Sequence, residues 1–356
     1  MKLDYLIIGQ GIAGTMLAHF LRQRGKTICV IDDDCPNAAT KLAIGTCNPI
    51  TGNNFVKTWM ADTIFPFAFD LYRQLETQFN ETFFHPRKLY RIYPDEKRKT
   101  KWLRKAELPE YVSYISANKM DEHFEKWLHN PLGGMEISQT GYVDTNRLLT
   151  SYRNLLQQEN QLENENFNFA DLHFETDSVR WKDKVANRII FCEGVRATKN
   201  PLFCDLPFSI NKGQFLTVKI ENCPIDHIIK KKCIVLPYGD GIFKVGATYE
   251  SDYPDINPTQ NGLSALQHQL HDLFKIPVKI IGHQAGIRPA SIDRKPLIGM
   301  HHQQKLAGIF NGFGAKGLTL APWFAQHFVA HLEDGETLLA DVSIRHYLQR
   351  TVRNRA

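Results

Sequence analysis

The sequence predicts an α/β protein of two interleaved domains. One is a Rossmann-like dinucleotide-binding domain; the other is an α+β domain on a mixed, largely antiparallel sheet. Three observations carry this. Near the N-terminus, "DYLIIGQGIAGTMLAHFLRQRGKTICVIDDD" places G-x-G-x-x-G (Gly9, Gly11, Gly14) between two apolar runs. From 210 to 250 the pattern alternates in strand-like hairpins. Glycine-bearing segments of dinucleotide type recur in the middle and at the end, so each domain is assembled from discontinuous pieces, and no internal repeat is visible.

In order along the chain, Leu6-Ile7-Ile8 reads as a buried parallel strand, too short for a helix and bounded by glycine. Gly9 permits the tight turn, Gly11 lets backbone approach a pyrophosphate, and Gly14 allows close helix–strand packing. The helix that follows opens at Ile12 and Ala13, whose amides and dipole suit an anion. It carries Met16, Leu17, Phe20 and Leu21 on one face and stops near Gly25. Asp32 is the first acid after the second strand, placed to accept ribose hydroxyls. Asp33 and Asp34 are more simply solvated. An acid here disfavours a 2′-phosphate but leaves NAD and FAD both open.

"AATKLAIGTCNPITG" (38–52) is a small-residue loop suited to lie against something flat, and 58–79 reads as a helix. "KLYRIY" (88–93) alternates like a strand, and charged, helical stretches run to about 129. "GYVDTNRLLTSYRNLL" starts a helix with Asp144 or Thr145 as N-cap. "QQENQLENENFNF" reads as a solvated helix end. Strands follow near 178–182 and 188–192, the second meeting Gly194, a second backbone approach to the dinucleotide. "GQFLTVKI" alternates, and "IVLPYGDGIFKVGATYE" is a hairpin around Gly239-Asp240-Gly241. A helix near 261–274, a strand near 278–284, the strand "LAGIFNG" and a glycine turn feeding a final helix complete the chain.

The bulk numbers are those of a globular protein. The 356 residues suit about two domains, and Lys+Arg 43 against Asp+Glu 38 gives +5, which neither demands nor excludes a polyanionic partner. Seven scattered cysteines without a C-x-x-C pair argue against zinc or a disulfide framework and fit a reducing, cytoplasmic compartment. No apolar run approaches a membrane span, the N-terminus does not read as a signal peptide, and no metal is expected.

Seven segments in order, "IIGQGIAG", "TKLAIGTCNPITG", "IIFCEG", "NKGQFLTV", "GATYE", "GIRPASIDRKPLIG" and "GFGAKGLTLAP", resemble the D-amino-acid-oxidase-like (DAO) family of FAD-dependent oxidoreductases. Its members include glycine and sarcosine oxidases and the flavin domain of the bifunctional tRNA wobble-uridine modification enzyme. The resemblance implies non-covalent FAD rather than NAD. It implies an FAD-binding domain over 1–82, 141–209 and 283–356, and a substrate domain over 83–140 and 210–282. It further implies that Thr40, Lys41, Ala43 and Gly45 run past the flavin, and that Val179, Cys192 and Gly194 lie near the cofactor. Gly9, Gly11, Ile12, Ala13, Gly14, Asp32 and Asp33 become the grip on its ADP half. The closing loop, Gly312, Gly314, Lys316, Gly317, Leu318 and Thr319, approaches the isoalloxazine.

For chemistry, Arg288 stands where glycine-oxidase-like members place an arginine that binds the substrate carboxylate, a planar guanidinium matching it bidentately. The alternative is pairing with Asp293 or backbone carbonyls. Tyr249 is a candidate pocket residue, with core packing as the alternative. Lys316 adds charge near the ring or is a solvated turn lysine. A second arginine found in this loop of some members is absent, Ala315 and Lys316 taking its place. Among Cys47, Asn48 and Thr51, a flavin-facing role suits one, and Cys47 reads best as a small buried hydrophobe.

The reading that follows is an oxidase or dehydrogenase cleaving the C–N bond of an amino acid or N-substituted glycine, by hydride transfer from Cα to flavin N5. One alternative is a tRNA-modifying flavoenzyme removing the glycine arm of a carboxymethylaminomethyl uridine. Basic residues from Arg87 to Lys105, Lys230 to Lys232 and in the tail "RHYLQRTVRNRA" would hold phosphates. Solvated helix faces explain those clusters better, so a small amine is favoured over tRNA as partner. A second alternative is a flavin-binding protein without amino-acid oxidase activity.

Overall fold

The computed structural model describes residues 2–119, 122–253, 255–345 and 347. The tail cluster beyond 345 lies, Tyr347 apart, outside the described residues.

The first sheet grows from the glycine turn. Leu3–Ile8 pairs in parallel with Ile28–Ile31 on one side and Lys184–Phe191 on the other. Leu162–Glu163 extends it in parallel beyond Ile28–Ile31, and Ala307–Asn311 beyond Lys184–Phe191. The long strand Lys184–Phe191 changes partner along its length: its first half forms an antiparallel hairpin with Val179–Trp181, its second half runs beside Ala307–Asn311. Leu6, Ile7 and Ile8 are buried on both faces, as the continuous apolar run requires. Helix Ile12–Gln23 is buried from Ile12 through Leu21, on more than the predicted face, because helix Gly317–Asp334 packs on its other side. Helix Ala61–Phe79 also packs on Gly317–Asp334, where the buried Tyr72 hydroxyl donates to the Leu318 carbonyl at 2.5 Å.

The second sheet is mixed. Lys279–Arg288, Asn211–Lys219, Ile242–Gly246, Ile234–Gly239 and Ile228–Lys230 run antiparallel in that order. Leu89–Ile92 joins Ile228–Lys230 in parallel and is followed by Gly134–Ile137 and Ile115–Lys119, both antiparallel. The hairpin turns at Gly239-Asp240-Gly241, all three with positive φ (100°, 51° and 73°). Period-two alternation splits Asn211–Lys219: Leu216 and Val218 enter a core with Leu266 and Leu270 of helix Gln260–His271, while Gly213 and Phe215 face a cleft between the sheets.

Three expectations change. The charged stretch to 129 holds helix Glu96–Ala106 but also strand Ile115–Lys119, with Gly134–Ile137 beyond it as a further unexpected strand; pairing with each other and with Leu89–Ile92 supplies what their short patterns lack. The loop 38–52 contains the short strands Thr46–Cys47 and Ile50–Thr51. The polar segment after Gln158 is no mere helix end: Leu162–Glu163 joins the first sheet. Asp144 is the N-cap of helix Thr145–Gln158, accepting from the Arg147 amide at 3.1 Å.

Candidate active site

Four parallel strands deliver their C-terminal ends to one place. Leu3–Ile8 leads to Gly9, Ile28–Ile31 to Asp32, Lys184–Phe191 to Cys192, and Ala307–Asn311 to Phe313 and Gly314. The crevice beyond such ends is where open α/β sheets take ligands. Here it is a cleft of about 570 Å³, its far wall formed by Gly213, Phe215, Gly246 and Ala285 to Arg288 of the second sheet. That volume falls within the roughly 300–1,000 Å³ of ligand and cofactor sites.

The cleft is built for an anionic dinucleotide. Helix Ile12–Gln23 opens onto it with no acid in its first turn and with Gly11, which has no side chain, as its N-cap. The Thr40 hydroxyl accepts from the Ile12 amide at 3.1 Å and so ties the small-residue loop to the helix start. Helix Gly317–Asp334 likewise opens beside the cleft at Gly317 and Leu318 with neither acid nor side-chain cap. Gly14 does not touch the cleft. A Cβ there would lie 1.8 Å from the Gly9 carbonyl oxygen, so its absence brings helix and turn together. Gly9 has φ +99°, and its missing Cβ leaves room for the Cys192 carbonyl.

Of the expected cofactor residues, Gly9, Gly11, Ile12, Ala13, Asp32, Asp33, Thr40, Ala43, Gly45, Cys192, Gly194, Gly314, Gly317 and Leu318 line this one cleft. Six expected residues do not. Gly14 packs beneath the turn. Lys41 turns away to pair with Asp34 at 2.5 Å. Val179 is wholly buried in the core of the first sheet. Gly312 packs on Leu297 and Thr319 is buried against its own helix turn, its hydroxyl donating to the Lys316 carbonyl. Lys316 lies beside Arg294, and burial and that neighbour hold its amine below the ordinary lysine value. Asp33 pairs with Arg196 at 2.7 Å. Cys47 is buried and burial pushes its thiol up to about 12, as suits a packed hydrophobe.

Arg288 ends strand Lys279–Arg288 and lines the cleft. Its Nη1 donates to Asn211 Oδ1 at 2.7 Å, and both terminal nitrogens reach the Thr248 carbonyl at 3.3 to 3.4 Å. Asp293 is no partner; it is held by Ser291, the Lys295 amide and the Tyr347 hydroxyl. Arg288 has no ion pair among the described residues, and burial lowers its pKa against the pull of Tyr249 and Glu250. Among the described residues its hydrogen bonds run only to neutral oxygens, which leaves its charge without a counter-ion. Tyr249 is 66 % exposed and does not line the cleft, lying just past the strand Ile242–Gly246.

Gly213 makes room for this guanidinium. A Cβ there would lie 2.0 Å from Arg288 Nη2 and 2.4 Å from its Cζ. Gly213→Ala is expected to displace the guanidinium and, if Arg288 holds a substrate carboxylate, to lower kcat/KM by roughly 10- to 100-fold. Flavin content and melting temperature should stay near wild type, which absorbance and thermal denaturation will check.

The sequence reading missed several residues that line the cleft. Glu165, Asn166 and Phe167 lie in the segment read as solvated. Arg196, and Glu193 inside "CEG", also line it. Their signal was a carboxylate placed directly between the apolar strand end and Gly194. Burial pushes the Glu193 carboxyl up to about 7, opposed by its hydrogen bond from Asn200 and by Arg196. A raised carboxylate binds its proton more tightly in the fold, so the folded state loses stability as pH climbs from the ordinary carboxylate range to about 7, and loses no more above it. Glu193→Gln should therefore stabilise the FAD-free protein at pH 8 by on the order of 2–3 kcal/mol, with most of that gain absent at pH 5. Melting curves at the two pH values test this; an equal gain at both would contradict it.

A parallel sheet with a cleft at its strand ends, opened by a glycine turn and a helix start, is the arrangement that takes a dinucleotide. Residues 4–331 match the DAO family, "FAD dependent oxidoreductase", and the chain belongs to that family of FAD-dependent enzymes. Over 138 residues it is 29 % identical to glycine oxidase of Pseudomonas putida, covering 38 % of each chain. Over 326 residues it is 25 % identical to the tRNA 5-methylaminomethyl-2-thiouridine biosynthesis bifunctional protein MnmC of Legionella pneumophila, covering 83 % of this chain and 45 % of that one. The chain thus spans less than half the length of both relatives. Its fold superposes on that of glycine oxidase from Geobacillus kaustophilus with a TM-score of 0.80, 17 % identity, and coverage of 97 % and 98 %. Among the described residues no helix is long and apolar enough to cross a membrane.

Proposed function

We propose that this enzyme oxidises the C–N bond of a small amine bearing a carboxylate, an amino acid or N-substituted glycine. The observation that carries this is Arg288, a cleft-lining guanidinium without a carboxylate partner among the described residues. The relative named glycine oxidase supports the same substrate class. When bound, FAD supplies the two-electron acceptor for the substrate Cα–H. Gly9 and Gly11 would give the pyrophosphate room to approach, the Ala13 amide and the helix start would face its charge, and Asp32 would take the ribose. Arg288 takes the substrate carboxylate in a bidentate pair, and Asn211 with the Thr248 carbonyl fixes the guanidinium plane. One end of the substrate is thereby held while its amine and Cα face the interior of the cleft. No side-chain base is required, since a neutral amine carries its own lone pair.

The reading is tested by turnover of matched pairs: glycine against methylamine, and N-methylglycine against dimethylamine. The acids should turn over and the decarboxylated amines should not. Equal turnover would remove the carboxylate from the account.

A second reading, removal of a glycine arm from a modified tRNA, is favoured by one surface. Helix Glu96–Ala106 exposes Lys97, Lys101 and Arg104 along one side, and a relative acts in tRNA modification. Release of glyoxylate from tRNA carrying carboxymethylaminomethyl uridine, with no turnover of the free amino acids, would establish it over the first.

A further inference from the structure

Arg153 occupies a position where helix Thr145–Gln158 buries an otherwise apolar face. It lies among Leu148, Leu149, Tyr152 and Leu156 and is 8 % exposed. A cation taken out of water there must be fully partnered to be tolerated. Its partners among the described residues belong to the glycine turn and to the residues that follow the strands beside it, Asp34 Oδ1 lying 3.7 Å from Nη1 as a more distant charge. Nη1 donates to Asp32 Oδ1 at 2.8 Å and to Gln10 Oε1 at 3.0 Å; Nη2 donates to Asn164 Oδ1 at 2.7 Å and to the Asp32 carbonyl at 3.3 Å. Gln10 closes the ring: its backbone amide donates to Asp32 Oδ2 at 2.8 Å, and its side chain to the Leu149 carbonyl at 3.1 Å. Asp34 adds its amide to Asp32 Oδ1 at 2.9 Å.

Among the described residues the Asp32 carboxylate therefore accepts three donors, out of about four acceptor directions. The direction left over belongs to Oδ2, because Oδ1 already takes two. Asp32 lines the cleft and Arg153 does not. We infer that Arg153 is a positioning residue for the cofactor: it acts through Asp32, presetting that carboxylate to accept a single hydroxyl of the FAD ribose. A free aspartate would rotate among its rotamers and lose that freedom on binding. Here the rotor is fixed before the cofactor arrives, and the charge that would face the FAD diphosphate is balanced from behind.

The inference separates from a general packing role by a double-mutant cycle on FAD affinity. The probe is FAD itself, added to deflavinated protein and followed by quenching of flavin fluorescence. Arg153→Met should raise the Kd for FAD by roughly 10- to 100-fold. In an Asp32→Asn background the same change should cost less than about 3-fold, since the group through which it acts is gone. Arg153→Lys, one donor in place of a fork, should fall between wild type and Met. If Arg153→Met does not fold, as its melting curve will show, Arg153→Lys runs the same cycle. A Kd within about 2-fold of wild type for the folded variant overturns the inference. So does an equal loss in the wild-type and Asp32→Asn backgrounds, which would mean that Arg153 serves the fold or touches FAD directly.

Discussion

Arg288→Ala should lower kcat/KM for a carboxylate-bearing amine by roughly 10³-fold while the protein keeps its flavin. The expected loss is on the order of 4 kcal/mol, from two charge-assisted hydrogen bonds at about 1.5–3 kcal/mol each, less what water recovers. The guanidinium is held from behind by Asn211 and Thr248, so substrate meets a receptor already oriented. None of these contacts reaches the glycine turn, which is why FAD retention should not change. Arg288→Lys should recover only part of the loss, because a point charge cannot form the planar pair. Steady-state kinetics with N-methylglycine, alongside the flavin spectrum, measures both halves. Turnover within tenfold of wild type would contradict the assignment.

The second large effect is expected at Gly14. Alanine there must place a methyl group 1.8 Å from the Gly9 carbonyl oxygen, a clash no side-chain rotation relieves, because a Cβ position is set by the backbone and the oxygen belongs to backbone. The helix has to lift from the turn, which opens the cleft on its phosphate side. Gly14→Ala should destabilise the protein by more than about 3 kcal/mol and be recovered without flavin, if at all. Gly11→Ala is the informative contrast. Its Cβ meets only Thr40 Oγ1, at 3.3 Å, and the residue faces the cleft. That variant should fold and melt near wild type yet bind FAD more weakly. Melting temperature and flavin content of the two variants check the pair; equal behaviour would refute the division of labour between packing and binding.

The features legible in the sequence were those written locally. Gly9, Gly11 and Gly14 sit between two apolar runs, and the structure turns that spacing into a strand, a tight turn and a buried helix. The hairpin at Gly239 to Gly241 was equally local. Features that depend on distant partners were not legible. Ile115–Lys119 and Gly134–Ile137 are short and weakly patterned, and become strands by pairing across a gap in the chain. Glu165 to Phe167 look like a polar run until Leu162–Glu163 joins the sheet beside Ile28–Ile31 and brings them to the cleft. Lys41 and Lys316 show the converse: each lies in a segment that reaches the cleft, but their long side chains follow charges and burial elsewhere. Arg153 carried no motif at all, since its meaning comes from Asp32, on another element.

Central to the proposed function is an amine carboxylate meeting Arg288 beside bound FAD. Anaerobic mixing of the yellow holoenzyme with glycine, N-methylglycine, other amino acids and the modified tRNA, read as loss of the flavin absorbance band, tests this most directly. Wild-type protein should bleach with at least one carboxylate-bearing small amine, and Arg288→Ala should not bleach with that same compound. Bleaching that persists in Arg288→Ala, or wild-type flavin that no carboxylate-bearing amine reduces, would contradict it.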